Sequence, residues 1–104
     1  PLRYRGNIYL LTSHNTFSSA ASTAWAFKYF GMGKVIGQET GEPAVAYGDI
    51  IGRWLPNTKL FYTVSHKKFY QYGATDNDFH GTIPDYDVPS EEAMDYAMKL
   101  IAEQ

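Results

Sequence analysis

The clearest pattern in the chain is an apolar run followed by polar and then small residues, between residues 7 and 29. The run Ile8-Tyr9-Leu10-Leu11 is typical of a strand of a parallel sheet, in which both faces of the strand are covered. A polar turn over 12–16 separates this strand from a stretch over 18–30 that predicts a helix. That stretch is apolar nearly all round, so we expect the helix to be buried.

The next elements extend this unit. Gly31 and Gly33 are expected to end the helix in the left-handed conformation that glycine adopts freely. The short apolar segment Lys34-Val35-Ile36-Gly37 predicts a second strand. A strand, a helix and a second strand in this order predict a right-handed crossover with parallel strands.

The second half of the chain predicts a β-hairpin and a closing helix. Residues 48–55 and 59–66 are predicted strands, joined by the turn-forming residues Pro56-Asn57-Thr58. Ser90, followed by two acidic residues, predicts a capped helix start, and the helix runs to about Ala102. Its predicted packing face has helical spacing and consists of Ala93, Met94, Ala97, Leu100 and Ile101. The predicted fold class is therefore α/β, with a strand–helix–strand unit followed by a β-hairpin and a C-terminal helix.

Length and composition restrict the classes of function. A chain of 104 residues with 44% apolar content forms one small globular domain. A net charge of −2 without a basic run argues against nucleic-acid binding, and no apolar run is long enough to span a membrane. The absence of cysteine excludes a disulfide scaffold, a thiolate zinc site and a cysteine nucleophile. We expect no cofactor and no metal site, because the three histidines lack metal-ligand spacing.

Ser18 is the candidate nucleophile. It follows the polar turn and opens the first helix, where free N–H groups and the positive end of the dipole favour an oxyanion. A serine at such a position is more often only a helix cap. Ser13, Ser19 and Ser22 are competing candidates. Ser22 lies one turn into the helix, and its side chain is expected to be packed. Ser19 is the closest rival, because a shift of one residue would exchange the two roles.

The histidines offer no evident general base. His14 lies only four residues before Ser18, but we expect it to be a turn histidine that bonds to the backbone. His66 and His80 have no partner at a telling spacing. The basic segment 66–68 is expected to be a solvated strand end rather than a site for a peptide carboxylate.

Three motifs in order carry a resemblance to a known family. They are LLTSHNTFSSAAST over 10–23, VIGQETG over 35–41 and HGTIPDYDV over 80–88. Together they resemble the tail-specific (C-terminal processing) and tricorn-core serine peptidases. The resemblance implies a ClpP/crotonase-like layered spiral, in which residues 1–104 are the C-terminal portion of a larger catalytic domain. The upstream part of that domain would then be missing from this chain.

The resemblance also implies roles for individual residues. Ser18 matches the nucleophile of the family's T-x-S-(S/A)-A motif, and the Ser19 N–H would donate to the oxyanion. The second oxyanion donor would come from an upstream glycine-rich segment. Asp78, three places before Gly81, matches a supporting acid, although a solvated loop aspartate explains it about as well.

The choice of base separates two branches of the family. The lysine of the tail-specific branch would fall on Pro43, and no lysine lies nearby, so the tricorn-core branch with an upstream histidine fits better. Glu42 stands where that family usually has glycine. A positive φ at this position would strain the loop, because only glycine adopts it freely.

The predicted function is that of a serine endopeptidase, which hydrolyses peptide bonds near chain termini or in unfolded chains through a serine acyl-enzyme. The expected partners are a peptide substrate and the missing upstream part, and this chain alone is expected to be inactive. Two alternatives remain open: a binding module with a degenerate peptidase site, and a relative of the acyl-CoA hydratases. The compartment stays unknown, although the resemblance suggests a bacterial protein of the periplasm or cell envelope. Exposed strand edges are expected to permit self-association.

Overall fold

A computed structural model of the chain describes residues 2–104. The elements follow one another as strand β1 (Tyr9–Thr12), helix α1 (Ser18–Tyr29), strands β2 (Lys34–Gly37), β3 (Val45–Trp54), β4 (Phe61–Tyr70) and β5 (Tyr86–Asp87), a 3₁₀ turn (Ser90–Glu92) and helix α2 (Ala93–Ala102). The structure is mixed α/β, as the sequence predicts. Within residues 2–104, no helix has the length and apolar character needed to cross a membrane.

Strand β2 lies at the centre of a three-stranded parallel sheet in the order β1-β2-β5. Tyr9 lies opposite Lys34, and Thr12 lies opposite Gly37, so the predicted parallel strand–helix–strand unit is confirmed. Asp85 fixes the outer strand, because its backbone N–H donates to the Val35 carbonyl at 2.8 Å and its Oδ2 accepts from the Val35 N–H, also at 2.8 Å.

The core lies around two adjacent residues of β2. Val35 and Ile36 are fully buried and point to opposite faces of the sheet. Ile36 packs with Ala93 and Ala97 of α2, and this cluster is flanked by the half-buried side chains of Tyr9, Tyr86, Val88, Tyr96 and Leu100. The predicted face of α2 is only partly right. Met94 and Ile101 are 59% and 46% exposed, because the contact is centred on the small Ala93 and Ala97 and leaves these two at its margin.

Helix α1 is buried along one stripe, made by Ala21, Ala24 and Phe27. The prediction that it would be buried all round is wrong for this chain, since Tyr29 and Phe30 are more than half exposed. Gly31 ends the helix with φ of 61°, as predicted. Gly33 does not adopt the left-handed conformation. A side chain there would overlap the Ile8 carbonyl and the Phe27 ring, so close approach explains this glycine.

Strands β3 and β4 form an antiparallel hairpin, called here the hairpin arm (residues 45–70). Its register runs from Val45 opposite Tyr70 to Trp54 opposite Phe61, so both strands are longer than predicted. The Leu55 N–H closes the tip by donating to the Leu60 carbonyl at 2.8 Å. The arm extends about 33 Å at the usual rise per residue. It makes the molecule elongated, with dimensions of 63 × 31 × 31 Å.

The start of α2 differs from the prediction. Ser90 lies in the 3₁₀ turn and does not cap the helix with its side chain. Its hydroxyl lies 3.3 Å from the Glu91 carboxylate, and the Glu92 N–H donates to the Pro89 carbonyl at 2.9 Å. The tight turn therefore satisfies the helix start through the backbone, so the predicted cap is wrong.

Candidate active site

The turn that carries Ser18 has an unusual backbone. Phe17 is extended, with φ of −133° and ψ of 167°, and the next residue, Ser18, has φ of 55°. A non-glycine residue in this left-handed region is uncommon and strained, and such residues cluster at functional sites. A strained turn between strand and helix exposes the side chain at its apex, as in the nucleophile elbow of the α/β-hydrolases. Ser18 is exposed at this apex.

Ser18 does not act as a helix cap. The cap position belongs to Phe17, and no side chain caps the helix. The Ala20 and Ala21 N–H groups donate to the Phe17 carbonyl at 3.1 and 3.3 Å. The Ser18 hydroxyl and the N–H groups of Ser18 and Ser19 have no hydrogen-bond partner within residues 2–104. The first turn of α1 thus offers a free hydroxyl beside free backbone donors.

The second sequence motif holds this turn in place. The Thr12 hydroxyl donates to the Gln38 carbonyl at 2.7 Å, and the Gly41 N–H donates to the Thr16 carbonyl at 3.1 Å. A side chain at Gly41 would overlap the backbone of the turn and the Phe17 ring. Contact this close requires glycine and keeps the Ser18 turn rigid.

The third motif binds in turn to the second. The Thr82 N–H donates to Thr40 Oγ1 at 2.7 Å, and the Thr40 N–H donates to the Thr82 carbonyl at 3.1 Å. The Gly81 N–H donates to Glu39 Oε1 at 2.9 Å. The three motifs that are separated in the sequence therefore form one hydrogen-bonded unit beyond the carboxyl ends of β1 and β2.

Ser18 opens onto a cavity of about 550 Å³, called here the Ser18 cavity. Helix α1 and the base of the hairpin arm form its walls. It is lined by Ser18, Ser19, Ser22, Glu42, Ala46, Tyr47, Gly48, Asp49, Phe69, Tyr70 and Gln71. Gln71 Nε2 donates to Ser22 Oγ at 2.7 Å, so Ser22 is engaged and half-buried, as predicted, and Gln71 ties the arm to the helix.

The two acidic residues in the cavity have different surroundings. Asp49 has φ of 56°, and its Oδ2 lies 2.5 Å from Lys67 Nζ and 3.7 Å from His66 Nε2. Glu42 is half-buried and forms no ion pair or side-chain hydrogen bond within residues 2–104. Glu42 does not have a positive φ, so the strain expected for a residue at a glycine position is not present.

His14 lies away from the Ser18 cavity. Its Nδ1 is 3.0 Å from the Glu39 carbonyl oxygen, which confirms that it is a turn histidine bonded to the backbone. Since a carbonyl only accepts, Nδ1 carries the proton. The imidazole lines a separate groove with Pro84 and Pro89.

Asp78 is also outside the Ser18 cavity. Its carboxylate accepts from the Thr75 N–H at 2.6 Å and from the Thr75 hydroxyl at 3.1 Å. The Thr75 backbone donor lowers the pKa of Asp78 below its usual value, and the His80 ring, 3.7 Å away, contributes to the same direction. The structure therefore gives this aspartate a turn-stabilising contact and does not bring it to Ser18.

The basic segment 66–68 is exposed but lies inside β4 rather than at a strand end. Lys68 binds Asp76 through its ammonium group, which raises the pKa of Lys68 and lowers that of Asp76. Among residues 2–104, no three metal-ligating side chains come together.

Sequence reasoning missed the wall of the cavity that the hairpin arm contributes. Tyr47, Phe69 and Tyr70 line the same cavity as Ser18 although they are distant from it in the sequence, and no local pattern marks them. Among the residues of this cavity beyond the helix, only Glu42 was marked in the sequence, because it replaces the usual glycine of the resembled motif.

Comparison with known proteins gives one family. The model of peptidase family S41 matches residues 1–88, a segment that includes Ser18, the three motifs and the hairpin arm. None of the curated proteins compared with the chain matches it.

Proposed function

Because the chain belongs to peptidase family S41, we propose that it carries the nucleophile of a serine endopeptidase and that this nucleophile is Ser18. The observation that carries the proposal is the strained Ser18 turn, with a hydroxyl that caps nothing and opens onto a cavity. A structural serine at a helix start normally gives its hydroxyl to the helix. Ser18 keeps its hydroxyl free and accepts backbone strain.

In the proposed reaction, Ser18 Oγ attacks the carbonyl carbon of the scissile peptide bond while a base removes its proton. The negative charge moves to the carbonyl oxygen, where the free Ser19 N–H donates a hydrogen bond. The C–N bond then breaks, the amine leaves with the proton, and an acyl-serine remains. Water hydrolyses this ester by the reverse proton transfers and restores the Ser18 hydroxyl.

We propose that the base and the second oxyanion donor come from an upstream part of the same catalytic domain, of which residues 1–104 form the C-terminal portion. In support, the residues that line the Ser18 cavity in the described part of the chain include no lysine or histidine. His14 faces another groove. An upstream histidine, as in the tricorn-core branch, would complete the site, and residues 1–104 alone would be inactive.

Asp78 is the supporting acid of this proposal. Its carboxylate lies 3.7 Å from His80 Nε2 and is held by Thr75, whose backbone donor lowers the pKa of Asp78. Because the carboxylate lies outside the Ser18 cavity, it would act on the base and not on Ser18. Asp78→Asn should then lower kcat while leaving peptide KM unchanged. If replacing Thr75, which only holds the turn, lowers kcat by the same amount, Asp78 would have a structural role instead.

The test of the nucleophile is labelling by a fluorophosphonate probe. The full-length protein should be labelled, Ser18→Ala should abolish labelling, and Ser19→Ala should retain it because the Ser19 N–H remains. Labelling lost in Ser19→Ala but kept in Ser18→Ala would transfer the nucleophile to Ser19. Robust, Ser18-dependent peptide hydrolysis by residues 1–104 alone would contradict the upstream base.

A non-catalytic peptide-binding module is the second candidate. It is favoured by Glu42, which stands at a usual glycine position in the cavity wall. A folded full-length protein that is not labelled, and that binds peptides equally well with and without Ser18→Ala, would support it.

A further inference from the structure

The Ser18 cavity has an uncompensated negative charge. Its lining residues include two carboxylates and, within the described part of the chain, no lysine, arginine or histidine. Asp49 is neutralised by Lys67 at 2.5 Å. Glu42 is half-buried without a partner in residues 2–104. A partly desolvated carboxylate without a partner is unfavourable, and it favours binding of a cation.

The walls of the cavity suit the rest of a basic side chain. Tyr47, Phe69 and Tyr70 line the same cavity as Glu42. Lysine and arginine pack their alkyl stems on apolar surface, and a cation is attracted to the face of an aromatic ring.

The cavity is also adjacent to the reacting atom. Ser18 and Glu42 line the same space of about 550 Å³, which is within the range of about 300–1,000 Å³ usual for ligand pockets. A peptide placed for attack by Ser18 would bring a side chain that flanks the scissile bond into the cavity that Glu42 lines.

We infer that the Ser18 cavity binds a lysine or arginine side chain next to the scissile bond, and that Glu42 determines this specificity. The inference rests on the proposed peptidase function and adds its substrate class. A carboxylate in a specificity pocket selects basic residues by charge-assisted hydrogen bonding. Acidic side chains at the same substrate position are rejected, because their carboxylate would lie beside that of Glu42.

The test compares quenched fluorescent peptides that carry arginine or citrulline at the positions flanking the scissile bond, hydrolysed by the full-length protein. Citrulline has nearly the shape of arginine without its charge. At one of these positions, kcat/KM should favour arginine by about tenfold or more, the value expected of a hydrogen bond to a charged group. Glu42→Gln should reduce this ratio to near one. Glu42→Lys should instead favour glutamate at that position.

Two controls separate the possible failures. Glu103→Gln makes the same chemical change at an exposed residue beyond α2 and should leave the ratio unchanged. Fluorophosphonate labelling reports Ser18 independently of the peptide. If the enzyme is labelled but shows no arginine preference, the inference is wrong and the proposed function still stands. The same holds if the enzyme shows a preference that Glu42→Gln leaves unchanged. A folded wild-type protein that is not labelled overturns both.

A further measurement applies where the Glu42 variants do not fold. Butylguanidine, which carries the guanidinium of arginine on an alkyl stem, should inhibit hydrolysis of the citrulline peptide competitively in the wild type. Butylurea, its neutral counterpart, should not. Equal inhibition by the two compounds, or none by butylguanidine, would argue against a cation site in the Ser18 cavity.

Discussion

At the scale of single residues, three residues of the Ser18 cavity have unfavourable backbone or side-chain environments. Ser18 and Asp49 have left-handed backbones, and Glu42 is a partly buried carboxylate without a partner in the described part of the chain. Such features lower stability and are tolerated where the surrounding structure fixes them. Here the rigid hydrogen-bonded unit of the three motifs supplies that support. Ser18 and Glu42 are also the residues that the proposed nucleophile and specificity depend on.

The strain at Ser18 makes a prediction about stability. A left-handed conformation destabilises a non-glycine residue by about 1–2 kcal/mol, an effect that glycine escapes. Glycine loses more conformational entropy on folding, which offsets part of this gain. Ser18→Gly should therefore be at least as stable as Ser18→Ala in urea unfolding.

Thr23 offers the matched control, since it is exposed in the middle of α1. There the glycine variant should be less stable than the alanine variant by about 1 kcal/mol. The same order of stability at both positions would contradict a strained Ser18.

The Lys68–Asp76 pair makes a prediction about pH. Hydrogen bonds from Lys68 and Tyr70 hold the pKa of Asp76 below its ordinary value of 3.8. A lowered carboxylate pKa stabilises the folded state above about pH 4, and the effect is lost as the pH falls through the folded pKa. The pKa of Lys68 is raised above 10.5, so its contribution holds below that pH and is lost as the pH rises further.

Lys68→Met should raise the pKa of Asp76 toward its ordinary value, as followed by NMR titration of the carboxyl carbon. The return should be incomplete, because the Tyr70 hydroxyl still donates to Asp76 at 2.8 Å. Lys67→Met, one residue away and bound to Asp49, should leave Asp76 unchanged. An unchanged pKa in Lys68→Met would show that the pair does not persist in solution.

At the scale of elements, the small parallel sheet positions everything else. Strand β2 is central and fully buried at Val35 and Ile36, and the loops after β1 and β2 carry the first two motifs. Residues at the carboxyl ends of parallel strands meet at one edge of a sheet, which is where ligands bind in open α/β folds. The proposed nucleophile lies at this edge.

Asp85 should be important for this sheet. Its carboxylate accepts from the N–H of Val35, a residue with no solvent exposure. Asp85→Ala would leave that N–H without a partner and should lower the free energy of unfolding by about 1–3 kcal/mol. Asp85→Asn should lose less, because the amide oxygen can still accept.

Asp87→Ala is the control for this substitution. Asp87 lies on β5, two residues after Asp85, and is exposed. It should change the free energy of unfolding by less than about 0.5 kcal/mol. A similar loss in both variants would mean that β5 is sensitive to any truncation, and not that Asp85 holds Val35.

The sequence predicted those features that depend on local pattern. Apolar runs and glycines gave the parallel strand–helix–strand unit and the end of α1 at Gly31. Gly33 was assigned the wrong reason, because the approach of Ile8 to its backbone is a tertiary contact. The hairpin strands were predicted too short, since mixed polar and apolar residues continue the pairing beyond the alternating segment.

The candidate site was also predictable only where it depends on local sequence pattern. Ser18 could be found from its motif and from its place between strand and helix. Its left-handed backbone could not be predicted, because serine has no local preference for a positive φ. The role of the hairpin base as a cavity wall depends on contacts between distant segments, which single-sequence patterns do not encode.

At the scale of the whole molecule, the hairpin arm dominates. Every residue of β4 is exposed, and large apolar side chains such as Ile50, Trp54 and Val64 face outward. Both long edges of the two-stranded arm have unpaired backbone groups within residues 2–104. Unprotected strand edges pair readily with other strands, so an arm of this kind is prone to association.

Residues 2–104 as an isolated chain should therefore self-associate. Analytical ultracentrifugation should show an average mass that rises with protein concentration over the micromolar range. Ile51→Lys, which places a charge in the arm opposite Val64, should reduce this rise. Met94→Lys, at an exposed position on α2, should not. A monomer at all concentrations would contradict the prediction.

The bond between Gln71 and Ser22 has a mechanical consequence. Gln71 follows the last residue of the arm, and Ser22 lies one turn beyond Ser18 on α1. The base of the arm is thus attached to the helix that begins with Ser18. A partner that bends the arm would shift that helix. By thermodynamic reciprocity, a ligand bound at Ser18 would alter the affinity of the arm for that partner by the same factor.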